Sequence, residues 1–219
     1  MDGLPSIEEV RERLAGIRAR IAAVGGHDVT VVGVTKGHPL EVVELAVAAG
    51  LTELGENYAQ ELVAKAADPA ARALGPHWHH IGRLQRNKVR LLAPHVALWQ
   101  TVDRVELAAE VARRAPGAAV LVQVATTGES GKGGCVAADV PALVEVCGEA
   151  GLRVRGLMTV GPTDPEVAPG PGFAEVRRLV DRLGLECCSM GMSDDLEIAV
   201  GEGSTMIRIG RALFGPRTA

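Results

Sequence analysis

Val29-Thr30-Val31-Val32-Gly33-Val34-Thr35, followed by Lys36-Gly37-His38-Pro39, decides the class of fold. The run is β-branched or apolar nearly throughout, so both faces of its strand are expected to be buried, as in a parallel sheet. Its exit, Thr35-Lys36-Gly37-His38-Pro39, is not the GxGxxG turn that an open doubly wound sheet places after its first strand.

Working outward, Ser6-Ile7-Glu8-Glu9 reads as a capping box behind Pro5. Ile7, Val10, Leu14, Ile17, Ile21 and Val24 then recur at helical steps until Gly25-Gly26. Downstream, strands are expected at 52–55, 78–82, 97–102, 118–124, 154–159, 185–190 and 205–210. Helices are expected between them at 40–49, 58–67, 85–92, 103–114, 139–150, 173–183 and 193–200, with Asp103 and Glu106 as a second capping pair. Such alternation demands parallel strands joined by crossover helices. Eight units predict an α/β fold, a single (β/α)8 TIM-type barrel with an extra N-terminal helix, with residues 1–219 forming one domain. That length lies near the lower end for such barrels. The Gly/Pro-rich segment Gly161–Gly172 falls between the sixth strand and its helix, so it reads as a mobile loop at the mouth and not as an interdomain linker.

The chain carries 47% hydrophobic and 23% charged residues, which excludes disorder as the dominant state. It has no apolar run long enough for a membrane span and no basic-then-apolar leader, so neither a membrane nor a secretory address is expected. A net charge of −4 gives no case for nucleic acid as a main partner. Cys135, Cys147, Cys187 and Cys188 lack metal-ligand spacing and read as reduced thiols of a cytoplasmic protein. Cys187 and Cys188, as neighbours on a strand, are expected to point to opposite faces.

In a barrel, chemistry sits at the C-terminal ends of the strands. Those ends carry Lys36, Glu56-Asn57, Gly82-Arg83, Met158-Thr159, Gly191-Met192-Ser193 and Gly210-Arg211. Only four lysines, Lys36, Lys65, Lys88 and Lys132, stand beside nineteen arginines. Lys36 closes an uncharged, buried run, so partial desolvation is expected to lower its pKa and free its amine for Schiff-base chemistry. By position alone, a lysine reaching solvent from a strand end is the commoner reading. The loops after strands seven and eight are where barrels often hold phosphate, and Ser193 is expected at a helix N-terminus. A plain N-cap serine fits that position too, and Asp194 and Asp195 beside it should oppose an anion.

Three other features fall away. Gly128-Glu129-Ser130-Gly131-Lys132-Gly133 has the wrong glycine spacing for a P-loop and glycine where Ser or Thr should hold magnesium. Of His77, His79 and His80, only the first two share a strand face, and no third ligand is evident, so no metal is assigned. Arg83, Arg86, Lys88 and Arg90 form a basic cluster whose default reading is a solvated helix face.

The order of several motifs now adds a family likeness. They are Val34-Thr35-Lys36, Gly55-Glu56-Asn57-Tyr58-Ala59-Gln60-Glu61, and Trp78-His79-His80-Ile81-Gly82-Arg83-Leu84-Gln85-Arg86-Asn87-Lys88. Gly156-Leu157-Met158, Ser189-Met190-Gly191-Met192-Ser193-Asp194-Asp195 and Gly203-Ser204-Thr205-Met206-Ile207-Arg208-Ile209-Gly210 follow. Together they resemble the pyridoxal phosphate homeostasis proteins, which are similar to the N-terminal barrel of alanine racemase. The resemblance implies pyridoxal 5′-phosphate as cofactor and Lys36 as the lysine that forms its internal aldimine. It implies Asn57 lining the cofactor and Arg208 facing the pyridine nitrogen. Ser193, with Met192 in the same loop, Gly210 and the backbone of Arg211 would hold the phosphate. Where the family often has a second lysine, an asparagine and an apolar or aromatic residue, this chain has His38, Ala125 and His80.

An arginine at the pyridine nitrogen disfavours a protonated ring and so weakens carbanion chemistry. The racemase adds a further domain carrying a tyrosine base, whereas the one tyrosine here, Tyr58, lies in the second unit. The expectation is a monomeric, non-catalytic binder that stores the cofactor and passes it to apo-enzymes. A small racemase, decarboxylase or lyase, and an interaction protein without cofactor, are the competing classes.

Overall fold

The computed structural model describes residues 4–129 and 132–216. Eight strands, β1 (Thr30–Val34), β2 (Glu53–Glu56), β3 (His77–His80), β4 (Val96–Val102), β5 (Ala119–Gln123), β6 (Arg153–Met158), β7 (Cys187–Ser189) and β8 (Met206–Ile209), form a closed parallel barrel in chain order. β8 closes on β1 through the pairs Thr30↔Met206 to Gly33↔Ile209. Successive residues alternate between two buried layers, as a two-sided parallel sheet requires. Val32, Leu98, Ala119, Leu121, Met158, Cys187 and Met206 pack inside the barrel. Val31, Leu54, Trp99, Leu157, Cys188, Ile207 and Ile209 face the surrounding helices. Cys187 and Cys188 therefore do point to opposite layers, and all four cysteines are free.

α1 (Ile7–Ala23) precedes the barrel and starts at the expected capping box, Glu9 N donating to Ser6 Oγ and Ser6 N to Glu9 Oε2. Its stripe of Val10, Leu14, Ile17 and Ile21 is buried. α2 (Glu41–Ala48), α3 (Ala59–Ala67), α5 (Val89–Leu92), α6 (Val105–Arg114), α7 (Val140–Glu149), α8 (Gly170–Arg182) and α9 (Leu196–Gly201) are the crossover helices.

The structure departs from the sequence reading at several short segments. α4 (Pro69–Leu74) follows α3, capped by Asp68 with Pro69 at its first position and Gly75 in the left-handed region after it. The α10 turn (Arg211–Phe214) follows β8. Residues 86–88 form a 3-10 turn ahead of the short α5. Asp103 does not cap α6: no side chain does, because the Asp103 carboxylate is drawn to the Arg104 guanidinium and to Gly134 N. The loop after β6 is shorter than the Gly/Pro-rich segment, since Gly170 and Pro171 already belong to α8. Lys132 Nζ holds it by donating to Gly161 O at 2.7 Å, and Thr163 N donates to Glu129. Part of the rejected P-loop-like stretch, Ser130 and Gly131, lies outside the described residues. No helix among the described residues is long and apolar enough to cross a membrane.

Glycine decides how closely β6 and β7 can approach. A Cβ at Gly156 would lie 1.9 Å from Cys187 O, backbone that cannot move aside. Gly156→Ala is expected to destabilise the protein by about 3 kcal/mol or more, seen as a lower thermal midpoint. Gly148→Ala, in α7, would add a methyl that meets nothing within 4 Å, and should instead gain about 0.5–1 kcal/mol. Equal midpoints for the two variants would contradict this account of the strand spacing.

Candidate functional site

One cavity of about 540 Å³ opens at the C-terminal ends of the strands. Lys36 after β1 and Asn57 after β2 face Met192 and Ser193 after β7, with Arg208 on β8 and Gly210 and Arg211 beyond it. The structure thus brings together every residue that the sequence reading and the resemblance assigned to a site. His38 and Asp194 line the same space. Three cations face one carboxylate there, a balance suited to a dianionic phosphate.

Lys36 is half-buried, and the turn that carries it is gripped from α3. Lys65 Nζ donates to Thr35 O at 2.7 Å and to Glu56 Oε1 at 2.6 Å. Thr35 Oγ1 donates to the same carboxylate at 2.6 Å, and Gly37 N donates to Glu61 Oε2 at 2.8 Å. The residues on both sides of Lys36 are therefore fixed by two side chains one helical turn apart. Burial pushes the Glu56 carboxyl up, and its bonds to Lys65 and Thr35 only partly offset this. Asn57 is fixed through its backbone: a Cβ on Gly82 would lie 2.2 Å from Asn57 O, so the exit of β3 rests directly on it.

Arg208 is 5% exposed, and among the described residues no carboxylate lies within hydrogen-bonding distance of it. Its Nη2 donates to Thr159 O at 2.6 Å and its Nη1 to Ser189 Oγ at 2.7 Å. Ser189 donates onward to Gln100 Oε1 at 2.7 Å, and Gln100 Nε2 donates to His79 Nδ1 at 2.7 Å. That assignment leaves the ring proton on His79 Nε2, which donates to Glu53 Oε2 at 2.6 Å. Every bond runs in one direction, from a guanidinium at the cavity to a carboxylate at the start of β2. Desolvation lowers the Arg208 pKa to about 10, which leaves it protonated at neutral pH. At the far end, burial pushes the Glu53 carboxyl up, but hydrogen bonds from His79 and His77 outweigh it and hold it below the usual range.

The loops after β7 and β8 correct one expectation. Ser193 is not at a helix N-terminus: α9 begins at Leu196, and Ser193 sits in the preceding turn. The two acids shape that turn instead, Asp195 accepting from Met192 N and Asp194 pairing with Arg211 at 2.9 Å. Both carboxylates are thus already engaged, which weakens the objection that they oppose an anion. Gly210 lets the second loop close over the first strand, since a Cβ there would approach Val34 O to 3.1 Å.

Sequence reasoning placed Glu56 at a strand end but gave no role to Glu56, Glu61, Lys65, Gln100 or Ser189. Lys65 alone had a usable signal: it is one of only four lysines, and it lies one turn from Glu61 on the helix after the second strand.

Fold and site together define a barrel of the kind that carries a lysine at the exit of its first strand. The chain belongs to the alanine racemase N-terminal domain family, which it matches over residues 6–218, and within it to the pyridoxal phosphate homeostasis proteins. The protein of that name from Pseudomonas aeruginosa is 43% identical, covering 95% of this chain and 96% of the relative. That from Deinococcus radiodurans is 41% identical, covering 92% and 97%. PipY of Synechococcus elongatus with pyridoxal 5′-phosphate bound is 32% identical, with a TM-score of 0.84 over 94% of this chain and 100% of PipY. An alanine racemase from Clostridium difficile, 17% identical, shares the fold with a TM-score of 0.72, and this chain covers 60% of it.

Lys65 and Glu56 form a buried pair, so losing one partner strands the other. Lys65→Met is expected to cost about 3–5 kcal/mol in urea unfolding, and Glu56→Gln in the same background should recover part of it. A Lys65→Met protein as stable as the parent would show that the grip on the Lys36 turn is not formed in solution.

Proposed function

We propose that this chain binds pyridoxal 5′-phosphate through Lys36 and holds it for delivery to apo-enzymes without turning over amino acids itself. The observation that carries the reading is the single cavity in which Lys36, the buried Arg208 and the two loops at Ser193 and Gly210 meet. Its volume suits a small cofactor, and its excess positive charge suits a phosphate. The names of the relatives and the cofactor bound in PipY support the same ligand.

When bound, the cofactor would supply an aldehyde able to condense with a primary amine, with loss of water. Lys36 provides that amine, on a turn that Lys65 and Glu61 keep in place. Asn57 lines the space beside it. Ser193, with Met192, Gly210 and the backbone of Arg211, would hold the phosphate. Arg208 would face the ring nitrogen as a hydrogen-bond donor. A cation there disfavours protonation of that nitrogen, and so removes the electron demand that carbanion chemistry needs.

Acid–base work on both faces of a substrate carbon would also lack a tyrosine. The sole tyrosine, Tyr58, is 54% exposed and lies outside this cavity. A closed barrel with no free strand edge supports a monomer. Four free cysteines support a reducing, cytoplasmic setting.

Borohydride reduction of the cofactor-loaded protein should place the label on the Lys36 peptide, and Lys36→Ala should emerge colourless. An amino-acid panel should show racemisation or deamination far below an enzyme-like rate of ~1 s⁻¹. Label on another lysine would overturn the site, and turnover at that rate would overturn the carrier role.

A further inference from the structure

A second cavity, of about 760 Å³, lies beside the first and meets it at Asn57. It is formed by the exits of β2, β3 and β4, and it divides the basic cluster seen in the sequence. The exposed Arg83 and the half-buried Lys88 line it, while Arg86 and Arg90, also exposed, do not. The division follows from the 3-10 turn at Arg86–Lys88, whose tight winding sends neighbouring side chains to different sides.

The charges on this wall are unbalanced. Lys88 is half-buried, yet neither its side chain nor that of Arg83 has a hydrogen bond or ion pair with any described residue. Asp103 is the one carboxylate lining the cavity, and it is already committed to Arg104 and Gly134 N. Burial holds the His80 imidazole down at about 4, so His80 brings no charge at neutral pH. A partly desolvated ammonium beside a guanidinium, both without a counter-charge, is a site waiting for an oxyanion. The cavity is far larger than a bare ion needs and falls in the range of small-molecule sites. The Tyr58 ring at its rim offers a flat apolar face for the rest of such a molecule.

We propose that this cavity is a second binding site, taking the phosphate monoester of a small organic molecule on Arg83 and Lys88. It does not rest on the cofactor reading of the first cavity.

The scarcity of lysines makes the test site-resolved. Acetylation by acetic anhydride, mapped by peptide mass spectrometry, reports Lys88 against Lys132, which is paired with Glu129 and lies elsewhere. Lys36 in the same map reports the first cavity, so failure at one site is distinguishable from failure at the other. The probes are glycerol 3-phosphate, pyridoxine 5′-phosphate and pyridoxine, none of which carries an aldehyde. Both phosphates should slow Lys88 acetylation saturably, about fivefold at four times the dissociation constant, and leave Lys132 unchanged. Arg83→Ala should abolish the protection, whereas Arg86→Ala, which removes the same single charge outside the cavity, should keep it. Protection by pyridoxine 5′-phosphate at lower concentration would assign a ring-bearing ligand, and equal potency would assign the phosphate alone. No protection, equal protection by pyridoxine, or equal loss in the two arginine variants would overturn the proposal.

Discussion

A guanidinium buried at the C-terminal side of the barrel, with no described carboxylate in contact, is the constraint around which the site is organised. Burying an uncompensated charge is costly unless it is hydrogen-bonded. Arg208 is accommodated by a carbonyl, Thr159 O, and by a line of polar side chains ending at Glu53. Ser189, Gln100 and His79 each have both a donor and an acceptor in use, and Arg208 can only donate, which fixes the direction of the line. The remaining guanidinium surface lines the cavity with a set orientation. Such preorganisation, with supporting groups holding the group that meets a ligand, is what a precise binding site needs.

The next strand around the barrel, β1, is built on a different principle. Lys36 must remain able to react, so it is positioned through its neighbours, with Thr35 and Gly37 bonded to α3 and Glu56. Backbone grips of this kind fix where the side chain starts and act on none of its own atoms.

Much of this was legible from local pattern. The β-branched run at Val29–Thr35, the Ser6–Glu9 capping box and the glycines after helices each have a short-range physical cause, so the barrel could be read from them. Lys36 stood out because a charged residue ended a buried run, and the loops at Ser193 and Gly210 because of their place in the barrel. The polar line from Arg208 was not legible. Ser189 and Gln100 are 89 residues apart and meet only when the barrel closes. Within their strands each looks like an ordinary polar residue. The misread caps at Asp103 and Ser193 differ in cause: Asp103 is drawn to its neighbour Arg104 and to the distant Gly134 N, whereas at Ser193 a competing local turn, Met192 N donating to Asp195, delays the helix to Leu196.

The most direct test of the central claim is the protonation state of the bound cofactor's ring. Nitrogen-15 NMR of the protein loaded with ring-labelled pyridoxal 5′-phosphate reads it without reference to activity. With a charged Arg208 donating to that nitrogen, the resonance should be that of an unprotonated, hydrogen-bonded pyridine throughout the neutral range. A pyridinium signal at neutral pH would contradict the account.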